Sequence, residues 1–380
     1  MDFGAIGDGF TDDTVAFQNA LNSGAANVIV PFGRYKISQT LLLPSNTTIL
    51  ADQCARIILS PTQTLKRGEF LLSNADVTGG NVNVAICGGI WDGNNRAPEC
   101  AKPDLFDKTG YSGAVLNFVN VDGLTLKNVT VANSTTFYVR MSRIHNFTIE
   151  NIDLLSDVYG KNQDGLHFGG DCRHGVVKNV RALSFGQTND DMIALNADDS
   201  IERVENLDLV RDGIEDITFE NIFAENCYTV IRMLSVTAPI KNIRFRNIYA
   251  GYRYYVINAD GARYCRTPLF DECDFPVGVG ACENIELENV VCYPVNNQTA
   301  NYNGERYNSQ YALRLESNFH HFNVRNFKKI RVKGDEDTVA LLVKNVKNAR
   351  ITADETTIAL CEKDEQCTVK DFTNLCIERF

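Results

Sequence analysis

Three carboxylates stand where the chain is otherwise apolar. In Lys161-Asn162-Gln163-Asp164-Gly165-Leu166-His167 an Asp-Gly pair leads into a hydrophobic segment, and Asn189-Asp190-Asp191-Met192-Ile193-Ala194-Leu195-Asn196 does the same with an Asp-Asp pair. Taking an unpaired carboxylate out of water is costly, so acids in such settings are usually kept for proton transfer or for holding a cation. Carboxylates sharing a site raise one another's pKa, which lets one stay protonated while its neighbour stays ionised. Each Asp taken singly also fits a turn, because Asp-Gly is a common turn dipeptide and a strand-end Asp or Asn bonds its own backbone. The adjacency of Asp190 and Asp191, with Asp164 one repeat earlier, is what points to acid–base chemistry.

Something must bring residues 26 positions apart together, and the flanking sequence supplies it. From Val28 the chain reads as short β segments, Val28–Ile37, Thr40–Leu43, Thr47–Leu50 and Arg56–Leu59, punctuated by Gly, Asn, Asp or Pro. A pattern apolar-x-apolar-x-Asn-apolar then recurs, ending at Asn128, Asn151, Asn221, Asn247 and Asn289, with a looser copy at Asn179. The spacings of 23, 28, 42, 26 and 42 residues describe a unit of about 23–28 residues, sometimes lengthened by a loop. Each unit alternates like a half-buried strand and puts Asn where the chain must turn through a left-handed region, so stacked Asn side chains can hydrogen-bond from coil to coil. This predicts an all-β chain, a single-stranded right-handed parallel β-helix, with strands of successive coils about 4.8 Å apart.

One domain over residues 1–380 is expected. Residues 1–27 would form an N-terminal cap, residues 28 to about 353 coils with long loops, and about 354–380 a C-terminal cap. In the first of these a Gly-rich loop runs into a short helix, with Thr11 to Asp13 as its N-cap, Val15, Phe17, Ala20 and Leu21 as its apolar face and Gly24 as its stop. Gly4, Gly7 and Gly9 are not a phosphate-cradling loop: no strand precedes them and no Lys-Ser/Thr follows. Residues 60–118, 251–275 and 293–310 read as long loops. The first includes Trp91, and together they hold aromatics and bases that could face a ligand, among them Tyr252, Arg253, Tyr254, Tyr255, Arg263, Tyr302 and Tyr307.

Composition excludes several functions. The chain of 380 residues is 44% hydrophobic with 9 prolines, which suits a folded core, and its formal charge of −11 argues against a nucleic-acid partner. No apolar run is long enough to span a membrane. The start Met1-Asp2-Phe3-Gly4 has no secretion-signal pattern, implying a cytoplasmic protein or one whose signal has been trimmed. None of the twelve cysteines forms a Cys-x-x-Cys pair or lies in a His cluster, so no structural metal is expected. Cys87, Cys172 and Cys227 read as core residues, and Cys361, Cys367 and Cys376 could include a bridge in an exported protein. Homo-oligomerisation is left open.

With one coil per repeat, Asp164 and Asp190 sit on neighbouring coils. That axial step is compatible with either the ~5–5.5 Å carboxyl spacing of a retaining glycosidase or the ~6.5–9.5 Å of an inverting one. Here the chain resembles the polygalacturonases, family twenty-eight glycoside hydrolases within the pectate-lyase-like β-helix superfamily. The segment Phe3-Gly-Ala-x-Gly-Asp-Gly-x-x-Asp-Asp-Thr-x-Ala-Phe17 looks like the superfamily's N-terminal motif, Asn162-Gln163-Asp164-Gly165 resembles the family's Asn-Thr-Asp-Gly, and Asn189-Asp190-Asp191 its Gly-Asp-Asp. The resemblance implies that Asp190 is the general acid and that Asp164 and Asp191 activate a water, with inversion, on an oligo- or polysaccharide of pectin type, without a cofactor. The family's Gly-His-Gly has no counterpart in Cys227-Tyr228-Thr229-Val230-Ile231-Arg232, nor has its Arg-x-Lys. Asn162, His167, Arg232 and Arg253 are the nearest candidates for substrate binding, with Arg232 equally readable as a structural ion-pair partner and His167 as a hydrogen-bonded neighbour.

Two other classes remain open from sequence. A calcium-dependent β-helix lyase would gather Asp190, Asp191, Asp198 and Asp199 around a metal, and transglycosylation or isomerisation could use the same acids. A non-catalytic glycan-binding tail or surface protein would share the fold without needing the three aspartates.

Overall fold

The computed structural model describes residues 3–60, 68–97, 112–160, 162–198, 210–261, 272–276, 278–295, 311–330, 339–343, 350–352 and 376–378. Every strand pairing among them is parallel, and each coil returns to pair with the one before it. Leu116–Ala132 lies on Val139–Leu155, which lies on Cys172–Ala182, then Ile214–Leu234, Pro239–Ala259, Ala281–Pro294 and Phe319–Lys329. This is the predicted stack of coils, a parallel β-helix. The expected right hand and the role of the helix as a cap are taken up below.

The turning device is the predicted one. Asn128, Asn151, Asn179, Asn221, Asn247 and Asn289 all have φ between 56° and 60°. The left-handed region strains most L-residues but is tolerated by Asn. Each amide Nδ2 donates to the Oδ1 of its counterpart one coil earlier, at 2.7 Å from Asn151 to Asn128 and from Asn179 to Asn151, 2.8 Å from Asn221, 3.0 Å from Asn247 and 3.1 Å from Asn289. Asn326, which follows the same pattern in Phe322-Asn-Val-Arg-Asn-Phe, adds a further rung at 2.9 Å. Inside, residues in register stack into columns such as Ile149, Val177, Phe219, Phe245, Leu287 and Val324, all at most 1% exposed. The Phe219 and Phe245 rings lie 4.9 Å apart and nearly parallel, so one coil's core side chain is packed by its equivalent on the next.

The helix spans Thr14–Leu21 and buries Thr14, Phe17, Ala20 and Leu21. Val15, assigned to its apolar face, is 72% exposed, because the buried stripe runs through 14, 17, 20 and 21 and leaves 15 on the opposite side. Gln18 fixes the helix to the sheet, donating to Leu42 O and accepting from Leu42 N at 3.0 and 2.8 Å. Asp13 is the N-cap residue, but its carboxylate makes no cap bond. It accepts from the amides of Ile6 and Gly7 and so closes the Gly-rich loop, while Asp12 accepts from Thr14 N.

Two loop assignments need correction. Trp91 is fully buried in the strand Ile90–Asp92, and residues 251–259 continue the strand Pro239–Ala259, with Tyr252 and Arg253 fully buried. Trp91, Tyr252, Arg253 and Tyr255, which looked like loop chemistry, are thus buried rather than facing water. Arg263, Tyr302, Tyr307, Cys361 and Cys367, and the C-terminal segment 354–380 apart from the strand Cys376–Glu378, lie outside the described residues. Cys172 and Cys227 are buried free thiols as expected, and Cys87 is half-buried. No helix among the described residues is long and apolar enough to cross a membrane.

Candidate active site

One strand column carries the chemistry. Successive coils place Leu116-Asn117-Phe118, Val139-Arg140-Met141, Leu166-His167-Phe168, Ile193-Ala194-Leu195, Ile231-Arg232-Met233, Ile257-Asn258-Ala259 and Leu313-Arg314-Leu315 in register. In each triplet the outer two residues are buried and apolar, while the middle one is polar on every coil but that of Ala194. Asp164 and Asp190-Asp191 enter this column just ahead of the triplets at His167 and Ala194.

Leu166 pairs with Ile193, and Gly165 N donates to Asp191 O at 2.9 Å, so Asp191 rather than Asp190 is the residue level with Asp164 on the next coil. The Asp-Gly turn reading does not hold here. Gly165 is not at positive φ. It is needed because a Cβ would sit 2.4 Å from Met192 O of the adjoining coil, a separation no side chain tolerates. The result is that Asp164, Asp190 and Asp191 each offer an oxygen, and these oxygens lie within 4.8 Å of one another.

The electrostatics follow from that crowding. Burial pushes Asp190 well above the ordinary carboxylate range, the charge of Asp164 pushes it further, and Arg232 and Arg253 pull it back. Burial likewise raises Asp191, reinforced by Asp190 and opposed by Arg232 and His167. A cluster in which two acids are biased toward their protonated forms beside a third carboxyl can both donate a proton and hydrogen-bond a water. A water hydrogen-bonded to two carboxylates at about 2.7 Å each fits between oxygens so spaced.

Of the predicted binding residues, His167 joins the group directly. Its Nδ1 lies 2.6 Å from Asp164 Oδ2, and its ring stacks on Phe137 at 4.3 Å. Asn162 is half-buried with φ 53° two residues before Asp164. Arg232 is buried and donates to Asp260 at 3.0 Å to each oxygen, in line with the ion-pair role the sequence left open. Arg314 extends this pair, bonding Glu316 at 2.9 Å and lying 3.9 Å from Asp260. Arg253 is corrected outright. It is fully buried beneath the site and bonds Gly186 O, Asn226 O, Thr188 O and Asn189 Oδ1, so it faces no substrate.

The sequence reading missed Asn117, Arg140, Asn258, Asp260, Arg314 and Glu316. For Asn117, Arg140, Asn258 and Arg314 the signal was a polar residue between two apolar ones, in phase with His167 and Arg232 once coils are aligned, and Asp260 and Glu316 follow the last two of these triplets. Three close carboxylate oxygens are also suitable donors for a hard cation. The proposed fuller calcium cluster does not form around Asp198, whose carboxylate accepts the amides of Val236, Thr237 and Ala238, each at 2.6 Å. Asp199 lies outside the described residues.

The chain is similar to known proteins. The family described as Rhamnogalacturonase A/epimerase, pectate lyase-like, matches residues 1–253. The chain belongs to that family. A preneck appendage protein of Bacillus phage PZA is 29% identical over 186 residues, 48% of this chain and 20% of the relative. A probable polygalacturonase of Arabidopsis thaliana is 23% identical over 250 residues, 59% of this chain and 50% of the relative. The N-terminal fragment of gene product 12 of bacteriophage Phi29 superposes with a TM-score of 0.65 at 17% identity, covering 93% of this chain and 57% of that one. The match to the phage appendage relative thus spans only a fifth of that protein's length.

Proposed function

We propose that the chain is a glycoside hydrolase module acting on a plant-type or pectin-like oligo- or polysaccharide, with Asp190 as general acid and Asp164 and Asp191 holding the attacking water. The observation that carries this reading is the meeting of three carboxylate oxygens within 4.8 Å on adjoining coils, Asp190 being raised by burial and by Asp164, and Asp191 by burial and by Asp190. A surface that only gripped a glycan would gain nothing from mutual repulsion among buried acids, which costs stability. Inversion is carried over from the polygalacturonase resemblance, since the three oxygens, within 4.8 Å of one another, lie closer than the ~6.5–9.5 Å carboxyl spacing usual for inverting glycosidases. Kinship with the probable polygalacturonase supports hydrolysis. The solenoid is read as right-handed, the sense that the twist of L-residue strands favours. The helix Thr14–Leu21 is read as its N-terminal cap, since Phe17, Ala20 and Leu21 would otherwise leave the first coils open to water.

The phage appendage similarity supports a second reading, a non-catalytic module within a larger assembly. One experiment separates the readings. Purified protein is incubated with pectic and other plant oligosaccharides, following reducing ends, ultraviolet absorbance and the anomer of the first product by NMR, with Asp190→Asn and a chelator as controls. New reducing ends of inverted configuration, unaffected by chelator and lost in the variant, are the expected result. Absorbance from unsaturated products would reassign the chain to the lyases, and glycan binding without turnover, unchanged in the variant, would favour the appendage reading.

A further inference from the structure

Behind the three acids lies a buried polar assembly that the reading above does not use. Gln163, next to Asp164 and fully buried, donates to Ser134 O at 2.7 Å and Val158 O at 2.9 Å, and accepts from Gly160 N at 2.8 Å and Gln187 Nε2 at 3.2 Å. Gln187, also fully buried, accepts from the Tyr138 hydroxyl at 3.1 Å. Asn189, next to Asp190, donates to Gly160 O at 2.9 Å and accepts from Arg253 at 2.8 Å. Arg253 comes from two coils further on and also donates to Gly186 O at 2.9 Å, Thr188 O at 3.3 Å and Asn226 O at 3.0 Å. The turn 186–189 that delivers Asp190 is therefore gripped at three residues by one guanidinium and tied through Asn189 and Gln187 to the loop that delivers Asp164.

Gln163 and Asn189 are also the two positions where the acid-bearing segments depart from the Asn-Thr-Asp-Gly and Gly-Asp-Asp patterns they resemble. Threonine could not span from Ser134 O to Gln187, and glycine has no side chain to join Gly160 to Arg253. Both departures thus supply members of one network. A buried guanidinium that no carboxylate among the described residues hydrogen-bonds is costly, and five directed contacts to carbonyl oxygens and amides are the kind of compensation that retains it.

We infer that Arg253, acting through Asn189 and the turn 186–189, is a positioning residue that sets the place of the Asp190 carboxyl relative to Asp164. Replacing it would let that turn move by a fraction of an ångström to an ångström while leaving the substrate-facing surface intact. Its charge also bears on Asp190, so its loss leaves that acid more easily protonated.

The inference rests on the hydrolase reading for its kinetic arm but not for its other arms. Arg253→Met, Arg253→Lys and Asn189→Gly would be compared with the wild-type chain, the last removing the link to Asp190 should Arg253→Met fail to fold. Hydrogen exchange of peptides covering 184–191 is expected to speed up about tenfold in Arg253→Met and Asn189→Gly, with peptides from the Asn ladder unchanged. Carbodiimide labelling of Asp190, read by mass spectrometry against pH, should shift its midpoint upward in Arg253→Met and return most of the way in Arg253→Lys. On a substrate that wild type cleaves, kcat should drop about 30- to 100-fold with KM within about twofold. Unchanged exchange and labelling would overturn the inference, as would a raised KM at constant kcat, which would make Arg253 a substrate contact. If wild type cleaves nothing, the hydrolase reading fails, and the exchange and labelling arms still decide the role of Arg253.

Discussion

Two columns run the length of this solenoid, and they are built on opposite rules. The Asn column repeats one side chain from Asn128 to Asn326, half-exposed or exposed, each rung satisfied by the same residue one coil away. The column through Asn117, Arg140, His167, Ala194, Arg232, Asn258 and Arg314 changes at every coil, is mostly buried, and draws many partners from outside itself, such as Asp164 for His167 and Asp260 for Arg232. Both obey the same register, so the backbone does not distinguish them. Repetition of a side chain lets coils stack interchangeably, whereas its abandonment makes each coil individual, and only individual coils can assemble a site from unlike groups.

The sharpest way to break the comparison is on the irregular column. Asp190→Asn, which keeps the shape and removes the titrating proton, should lower kcat about a thousandfold with the circular dichroism spectrum unchanged. The next effect is on packing. Gly165→Ala would drive a methyl group into Met192 O and should destabilise the fold by about 2–4 kcal/mol in chemical denaturation, more than any single rung of the ladder. On the regular column, Asn221→Ala loses bonds to both Asn179 and Asn247 and leaves an alanine at φ 60°, for an expected loss of about 2 kcal/mol. Asn221→Gly should lose about half as much, because glycine accepts the angle.

The smallest effect has the opposite sign. A carboxyl whose folded pKa is raised binds more protons folded than unfolded, so the folded state loses stability as pH climbs from the ordinary carboxylate range through the raised value. Asp190 is such a group. Asp190→Asn should therefore melt about 2–5 °C above wild type at pH 7 and match it near pH 4 in thermal scans. A variant no more stable at pH 7 would mean that the acid cluster is not strained.

The same contrast explains what could be read before the structure. The Asn positions announced themselves by recurrence, and all six expected ones adopt the left-handed angle. Asp164, Asp190 and Asp191 were legible because charge among Leu, Ile and Met demands a reason. Asn258 and Arg314 were not, since a lone polar residue between two apolar ones says nothing until coil lengths, which the inserted loops vary, are known. Arg253 was misjudged because its neighbours Tyr252, Tyr254 and Tyr255 look like a binding surface, while its partners lie 27 to 67 residues away along the chain. Val15 shows the limit in the helix, where one apolar residue out of phase with the others points to water.

In all six rungs of the Asn ladder the later coil is the donor and the earlier coil the acceptor. The row of amides accordingly has a polarity, with an acceptor always facing the side on which the next coil is added. As the polypeptide leaves the ribosome N-terminus first, each finished coil is a template offering an unsatisfied oxygen to the segment about to be made. A coil placed out of phase with its predecessor would find no acceptor at its Asn.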